Sequence, residues 1–212
     1  MNFDDNQLGL HSDACALFSR IFMVEVTDEL IHELRKLDIR VYFSNLELPT
    51  NIDAALAAIE LEIEREPIDV TKLRVEYAKL FIGPNQVVAP PWGSVYLDAK
   101  KAVMGESMLR IRDRYDEFGL EVQHKNTEPD DHIALELSFV SYLFSKALLT
   151  EDKLEKERYA ESAVSFIGEF LSPWLDDFAE NIASSDVGGF YKGFAVILRA
   201  YIQALLLADK EN

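Results

Sequence analysis

Apolar and aromatic residues recur at three- and four-residue spacing along most of this chain, a period that puts them on one face of a helix. No sustained two-residue alternation bounded by hairpin turns occurs anywhere, so strands have nothing to nucleate on. Val70, Leu73, Tyr77 and Leu80 carry the helical spacing through Asp69 to Phe81, and Met108, Ile111, Tyr115 and Phe118 repeat it. Gly119 then stands where a left-handed C-cap is expected. Leu135, Phe139, Tyr142 and Leu143 predict a long core helix running on from about Pro129, and Tyr159, Val164, Ile167, Phe170 and Leu171 another. Thr50 with Asp53 reads as a capping box opening a helix to Arg65, with Pro67 as its stop. Ser172 and Pro173 read as the N-cap and first turn of a new helix. Gly188-Gly189 precede a last amphipathic helix to about Ala208. The expected fold is all-α: one helical bundle of about eight to ten helices.

Two segments break the helical pattern. Gly83 to Asp98, GPNQVVAPPWGSVYLD, holds three of the seven prolines. Proline fixes its own backbone, restricts the residue before it and donates no hydrogen bond. Trp92 and Tyr96, with Val95 and Leu97, predict that this loop packs on the helices. Gly119 to Pro129 links two well-formed helices. It is the expected hinge of a single 1–212 domain with lobes at about 1–120 and 128–212.

Of the 212 residues, 49% are hydrophobic, enough for a continuous core. The formal net charge is −17, from 21 Lys plus Arg against 38 Asp plus Glu. Such a surface repels phosphate backbones, which excludes nucleic acid as a partner class, and attracts basic ones. Cys15, the one cysteine, cannot form an internal disulfide and lies in an apolar stretch, as a buried structural thiol would. The N-terminal residues are acidic where a secretory signal is basic. The apolar stretch from Phe194 to Ala208 reads as too short and too polar for a membrane span. The expectation is a cytoplasmic protein with no stable membrane insertion.

Catalytic and metal signatures are missing. No Gly-Lys-Ser/Thr follows Gly83, and neither HExxH nor GxSxG occurs. Glu29 and His32 form a single ExxH pair, explained by a solvated helix face. The expectation is no enzyme, no catalytic residue and no metal. Arg110, Arg112 and Arg114, with Lys100 and Lys101, make a basic stretch interspersed with Glu106 and Asp113, read first as solvated helix and second as a contact for phosphate or an acidic client.

The segment from Glu128 to Glu136 invites two readings. As structure, Thr127 and Asp130 form a capping box around Pro129, with Asp130 and Asp131 at the favoured end of the helix dipole. As a binding site, His132 and Glu136 share a helix face beside Asp131, and a carboxylate there can grip a guanidinium through two parallel bonds.

Three segments together resemble the TorD/DmsD family of redox-enzyme maturation chaperones, relatives of the NarJ group. They are Tyr77-Ala78-Lys79-Leu80-Phe81-Ile82-Gly83 running into Pro90-Pro91-Trp92-Gly93-Ser94-Val95-Tyr96-Leu97-Asp98; Glu128-Pro129-Asp130-Asp131-His132-Ile133; and Phe170-Leu171-Ser172-Pro173-Trp174 with Phe178 and Phe190-Tyr191. The resemblance covers about Val75 to Tyr201 and is nearest to the DmsD-like members. It implies a cytoplasmic chaperone that binds the twin-arginine signal peptide and apo form of a molybdenum-cofactor oxidoreductase subunit and holds it for cofactor insertion before export. It implies a peptide-binding surface at Leu80, Pro91, Trp92, Tyr96, Gly105, Glu128, Asp131 and His132, and no cofactor. Weak GTP binding and a domain-swapped dimer remain open beside a monomer. The alternatives are a GTP-binding enzyme and a permanent assembly subunit of a redox complex.

Overall fold

The computed structural model describes residues 3–48, 51–83, 87–99, 103, 105–122 and 128–210, and among these every regular element is helical. In chain order they are α1 (Asp5–Met23), α2 (Asp28–Lys36), α3 (Ile39–Ser44), α4 (Asp53–Ile63), α5 (Val70–Tyr77), α6 (Gly93–Leu97), α7 (Glu106–Asp116), α8 (Ile133–Leu149), α9 (Lys153–Phe166), α10 (Ser172–Ser184) and α11 (Gly189–Lys210). The all-α expectation holds.

Local chemistry sets several of the helix ends. Thr27, Asp38, Asp69 and Asp152 each turn a side-chain oxygen onto a first-turn N–H, occupying a donor that has no partner within the helix. Gly119 sits at φ 68°, and the Leu120 N–H reaches back to the Tyr115 carbonyl at 3.0 Å, closing α7 as its sequence predicts. Glu29 and His32 lie on the exposed face of α2, and Cys15 is buried in α1.

Several boundaries differ from expectation. The helix read from Thr50 begins at Asp53, whose N–H is capped by the Asn51 side chain at 2.8 Å; Thr50 itself lies outside the described residues. Ser172 is helical, with φ −57° and ψ −36°, and caps nothing. A π-helical turn, Ile167–Leu171, carries α9 into α10 without a break, with the Ser172 N–H on the Ile167 carbonyl. Widening the helix by one residue accommodates Pro173, which offers no N–H and would otherwise press on the preceding turn. A second π turn, Ala78–Ile82, extends α5 in the same way. Within the supposed loop from Gly83 to Asp98, Gly93–Leu97 is a helix.

The chain forms two compact units. The first takes 1–23 and 91–175, the second 24–90 and 176–211. The division expected at 119–129 is therefore not where the units part: residues on both sides of it belong to the first. In the first unit, α8 packs against α1 and α9 through Leu137, Val140, Leu143 and Phe144. Tyr115, Phe139 and Phe166 form an aromatic cluster there, with ring centroids 4.7 to 6.0 Å apart.

In the second unit, α11 packs along α4, while Tyr77, Phe81, Phe178 and Tyr191 stack edge-to-face and face-to-face. Over Gly189–Ala208, α11 is long and apolar enough to cross a membrane, which corrects the reading from Phe194; 61% of its most apolar window is buried, as in a core helix. Its close approach to α4 needs a residue without Cβ at 193, where an added Cβ would stand 2.6 Å from Ile59 Cγ1 and 2.7 Å from the Ala55 carbonyl oxygen. Gly193→Ala is expected to destabilise the protein by about 1–3 kcal/mol through overpacking, despite alanine's better helix propensity. Chemical denaturation checks it, and an unchanged or raised midpoint would refute the tight crossing.

Candidate functional site

The first unit brings together two segments distant in sequence. The Ile133 N–H donates to the Pro91 carbonyl at 2.8 Å and the Gly93 N–H to the Asp131 carbonyl at 3.0 Å, an antiparallel bridge pairing Trp92 with His132. Asp131 adds its side chain: Oδ2 accepts the Ser94 N–H at 2.6 Å. That carboxylate caps α6 from across the bridge, which matters because Trp92, in the cap position, supplies no cap of its own.

This pairing explains why α8 begins later than its sequence suggests. Drawing Asp131 onto α6 holds the backbone extended at His132 (φ −71°, ψ 130°), so Pro129 to Asp131 form a turn and Ile133 opens the helix. His132 is the N-cap, its Nδ1 accepting the Ala134 N–H at 3.1 Å. The capping box expected of Thr127 and Asp130 is replaced by it, and Thr127 lies outside the described residues.

Asp131 and His132, expected as contact residues, are buried at 0% and 4% exposure. They build the surface from beneath. Burial lowers the His132 pKa to about 4, so its ring is neutral at pH 7. With Nδ1 accepting, the proton sits on Nε2, which lies 3.9 Å from Glu128 Oε1. That oxygen accepts the Trp92 indole N–H at 2.9 Å. Glu128 retains 39% side-chain exposure, so it is the carboxylate of the segment that meets solvent, beside a half-buried indole.

Tyr96, Pro91 and Gly105 belong to the same unit. Tyr96 stacks on Trp174, centroids 5.3 Å apart and planes at 25°. Pro91 is buried. Gly105 makes room for Asp98: a Cβ there would lie 1.6 Å from Asp98 Oδ2, and Asp98 Oδ1 accepts the Ser107 N–H of α7 at 3.3 Å. Leu80 belongs to the second unit, where it is fully buried within the π turn, its carbonyl accepting the Ala89 N–H at 2.9 Å.

Sequence reading missed Asp98 and the fate of Glu136. Nothing local marks Asp98, because its partner is the start of another helix. Glu136 is fully buried with no hydrogen bond on either oxygen. Burial, reinforced by the Asp131 charge, pushes its pKa well above the usual carboxylate range. Asp131 is also raised, chiefly by burial, opposed by its bonds from Ser94.

The three arginines of α7 are all engaged: Arg110 with Glu169, Arg112 with Asp130 and Arg114 with Glu117. That favours the structural reading for these three, while Lys100 and Lys101 lie outside the described residues. No group of three metal-ligating side chains occurs among the described residues. A cleft of about 550 Å³ in the second unit, between α2, α3 and α4, contains none of the expected site residues. Its Arg35 is held by Glu66 and the Ile63 carbonyl, and its Arg40 by Glu60.

The profile of the family described as nitrate reductase delta subunit matches residues 45–180. The chain belongs to the nitrate reductase delta subunit family. Its relatives in this family include the DmsD and TorD proteins that its motifs resemble. It is 33% identical over 122 residues to the Haemophilus influenzae protein named "Probable Tat proofreading chaperone DmsD", a match covering 58% of this chain and 54% of that one. It is 27% identical over 191 residues to the chaperone protein TorD of Vibrio vulnificus, covering 86% of each. Among solved structures, a protein from Archaeoglobus fulgidus assigned to redox enzyme maturation shares the fold, with a TM-score of 0.56 and 23% identity over 91% of this chain and 93% of that one.

Two substitutions in this delta subunit family protein separate support from surplus charge. Asp131→Ala leaves the buried Ser94 N–H without an acceptor and should cost about 1–3 kcal/mol. Glu136→Gln should do the opposite as pH rises. A carboxyl whose folded pKa lies above its ordinary value of 4.5 stabilises the fold fully below that value and loses the contribution as pH rises through the folded pKa. His132 acts in the other direction, between its ordinary value and about 4, where falling pH costs stability. Thermal midpoints measured from pH 5 to 9 should therefore show Glu136→Gln gaining on the wild type toward alkaline pH; parallel curves would contradict the neutral buried carboxyl.

Proposed function

We propose that this protein is a cytoplasmic chaperone, without catalytic activity, that binds the twin-arginine signal peptide and the apo form of a molybdenum-cofactor oxidoreductase subunit before export. Membership of the family and the names of the DmsD and TorD relatives support the chaperone role. The observation that carries the peptide-binding role is the Trp92–Glu128 pair: a solvent-facing carboxylate held by an indole N–H, on a bridge stiffened by Asp131.

A guanidinium suits that pair because it accepts two kinds of contact at once. Its edge hydrogen-bonds a carboxylate in a fork, and its face stacks on an aromatic ring. His132, uncharged at neutral pH, adds no repulsion. The apolar stretch that follows the arginines in such a leader finds exposed Leu97 and Leu109 on the same unit. The net charge of −17 draws a cationic segment in and speeds its capture at low salt. Micromolar affinity requires about 8 kcal/mol, which calls for aromatic and apolar anchors of about 2 kcal/mol or more each in addition to the charged contact.

Titration with a twin-arginine leader peptide, and with the same peptide carrying two alanines, tests the reading. The arginine peptide should bind at least tenfold tighter, and the difference should shrink as salt rises. Glu128→Gln should weaken it by roughly threefold to tenfold, the scale of about 1 kcal/mol for a half-exposed charged contact, with no change in thermal midpoint. Equal affinity for the two peptides would remove the charge-recognition basis of the proposal.

A further inference from the structure

Asp130 is the carboxylate of the 128–132 segment that an arginine of the same chain has already claimed. Its Oδ2 accepts from Arg112 Nε, while Oδ1 is buried with no hydrogen-bond partner. The Asp130 side chain is 3% exposed, whereas Arg112 retains 23% exposure. Solvent thus meets part of the Arg112 side chain and almost none of the Asp130 side chain. The Asp130 backbone is held too, its carbonyl accepting the Tyr115 hydroxyl at 3.0 Å. The Asp130 backbone is therefore tied to α7.

We infer that Arg112 is an internal stand-in for a ligand arginine, and that a bound peptide displaces it from Asp130. The inference rests on the peptide-binding reading above and goes beyond it by assigning Arg112 the role of a competitor that tunes affinity. Glu128 and Asp130 flank Pro129. One carboxylate faces solvent and the other is closed by Arg112, so a peptide with two cations finds one place open and one occupied. Exchanging one guanidinium for another keeps the buried carboxylate charge-paired throughout. Leaving it unpaired would be costly, and a ligand without the planar fork is a poorer replacement. Arg112, once released, regains its side-chain freedom in water. The energetic toll of engaging Asp130 then falls only on ligands that use it.

Two measurements test the inference. In the wild-type protein, the Arg112 Nε–H resonance, assigned by its loss in Arg112→Lys, is followed while twin-arginine peptide is added to saturation. It should move to the position of a solvent-exposed arginine; a resonance that stays put at saturation overturns the displacement. Arg112→Gln should bind the twin-arginine peptide at least threefold tighter and the di-alanine peptide within twofold of wild type. Arg110→Gln, which removes the same charge from α7, should tighten neither by more than twofold. If Arg112→Gln leaves the arginine peptide unchanged or weaker while wild type still discriminates the two peptides, Arg112 is no competitor and the binding role stands. If wild type does not discriminate them, both fall together.

Discussion

An antiparallel bridge between Pro91–Gly93 and Asp131–Ile133 holds the candidate site together. Two backbone hydrogen bonds join segments that belong to different stretches of the chain, and the Asp131 carboxylate reinforces them by capping α6. Buried backbone donors must be satisfied, and a five-residue helix following a pair of prolines has few ways to do so locally. Taking the cap from another segment makes the geometry of Trp92 depend on Asp131, and the start of α8 depend on both. Trp92, Glu128 and His132 inherit their positions from that dependence.

The electrostatics follow from the same arrangement. Packing Asp130, Asp131 and Glu136 into one interior would be prohibitive if all three were charged and unpaired. Each is relieved differently. Asp131 accepts the Ser94 N–H, Asp130 is paired with Arg112, and Glu136, lacking a partner, is shifted toward its neutral form. What the segment presents to solvent is reduced to Glu128, held in place by the indole of Trp92. A motif that looks like a cluster of exposed acids is, in three dimensions, one solvent-facing carboxylate above buried ones.

Much of the fold was legible in the residues because helical periodicity is a local property. The long core runs around Leu143 and Ile167, the cap at Gly119, and the break at Gly188 are all encoded within a few positions of where they act. The motifs around Trp92 and Asp131 are brought together by the bridge. What went astray did so for tertiary reasons. Ser172 is not a cap, because a π turn absorbs Pro173. Asp131 and His132 are buried rather than exposed, and each spends a hydrogen bond on backbone. The units do not part near Gly119, because α7, α8 and α9 cohere across it.

The sequence alone determined the helical class, the acidic character and the family kinship, since period, charge and short motifs survive being read one residue at a time. Only the tertiary structure decided which carboxylate faces outward, that Gly105 exists to admit Asp98, and that Arg112 closes Asp130. Those are relations between residues far apart along the chain. Their physical content, a distance and a loss of solvent, comes into being when the helices pack.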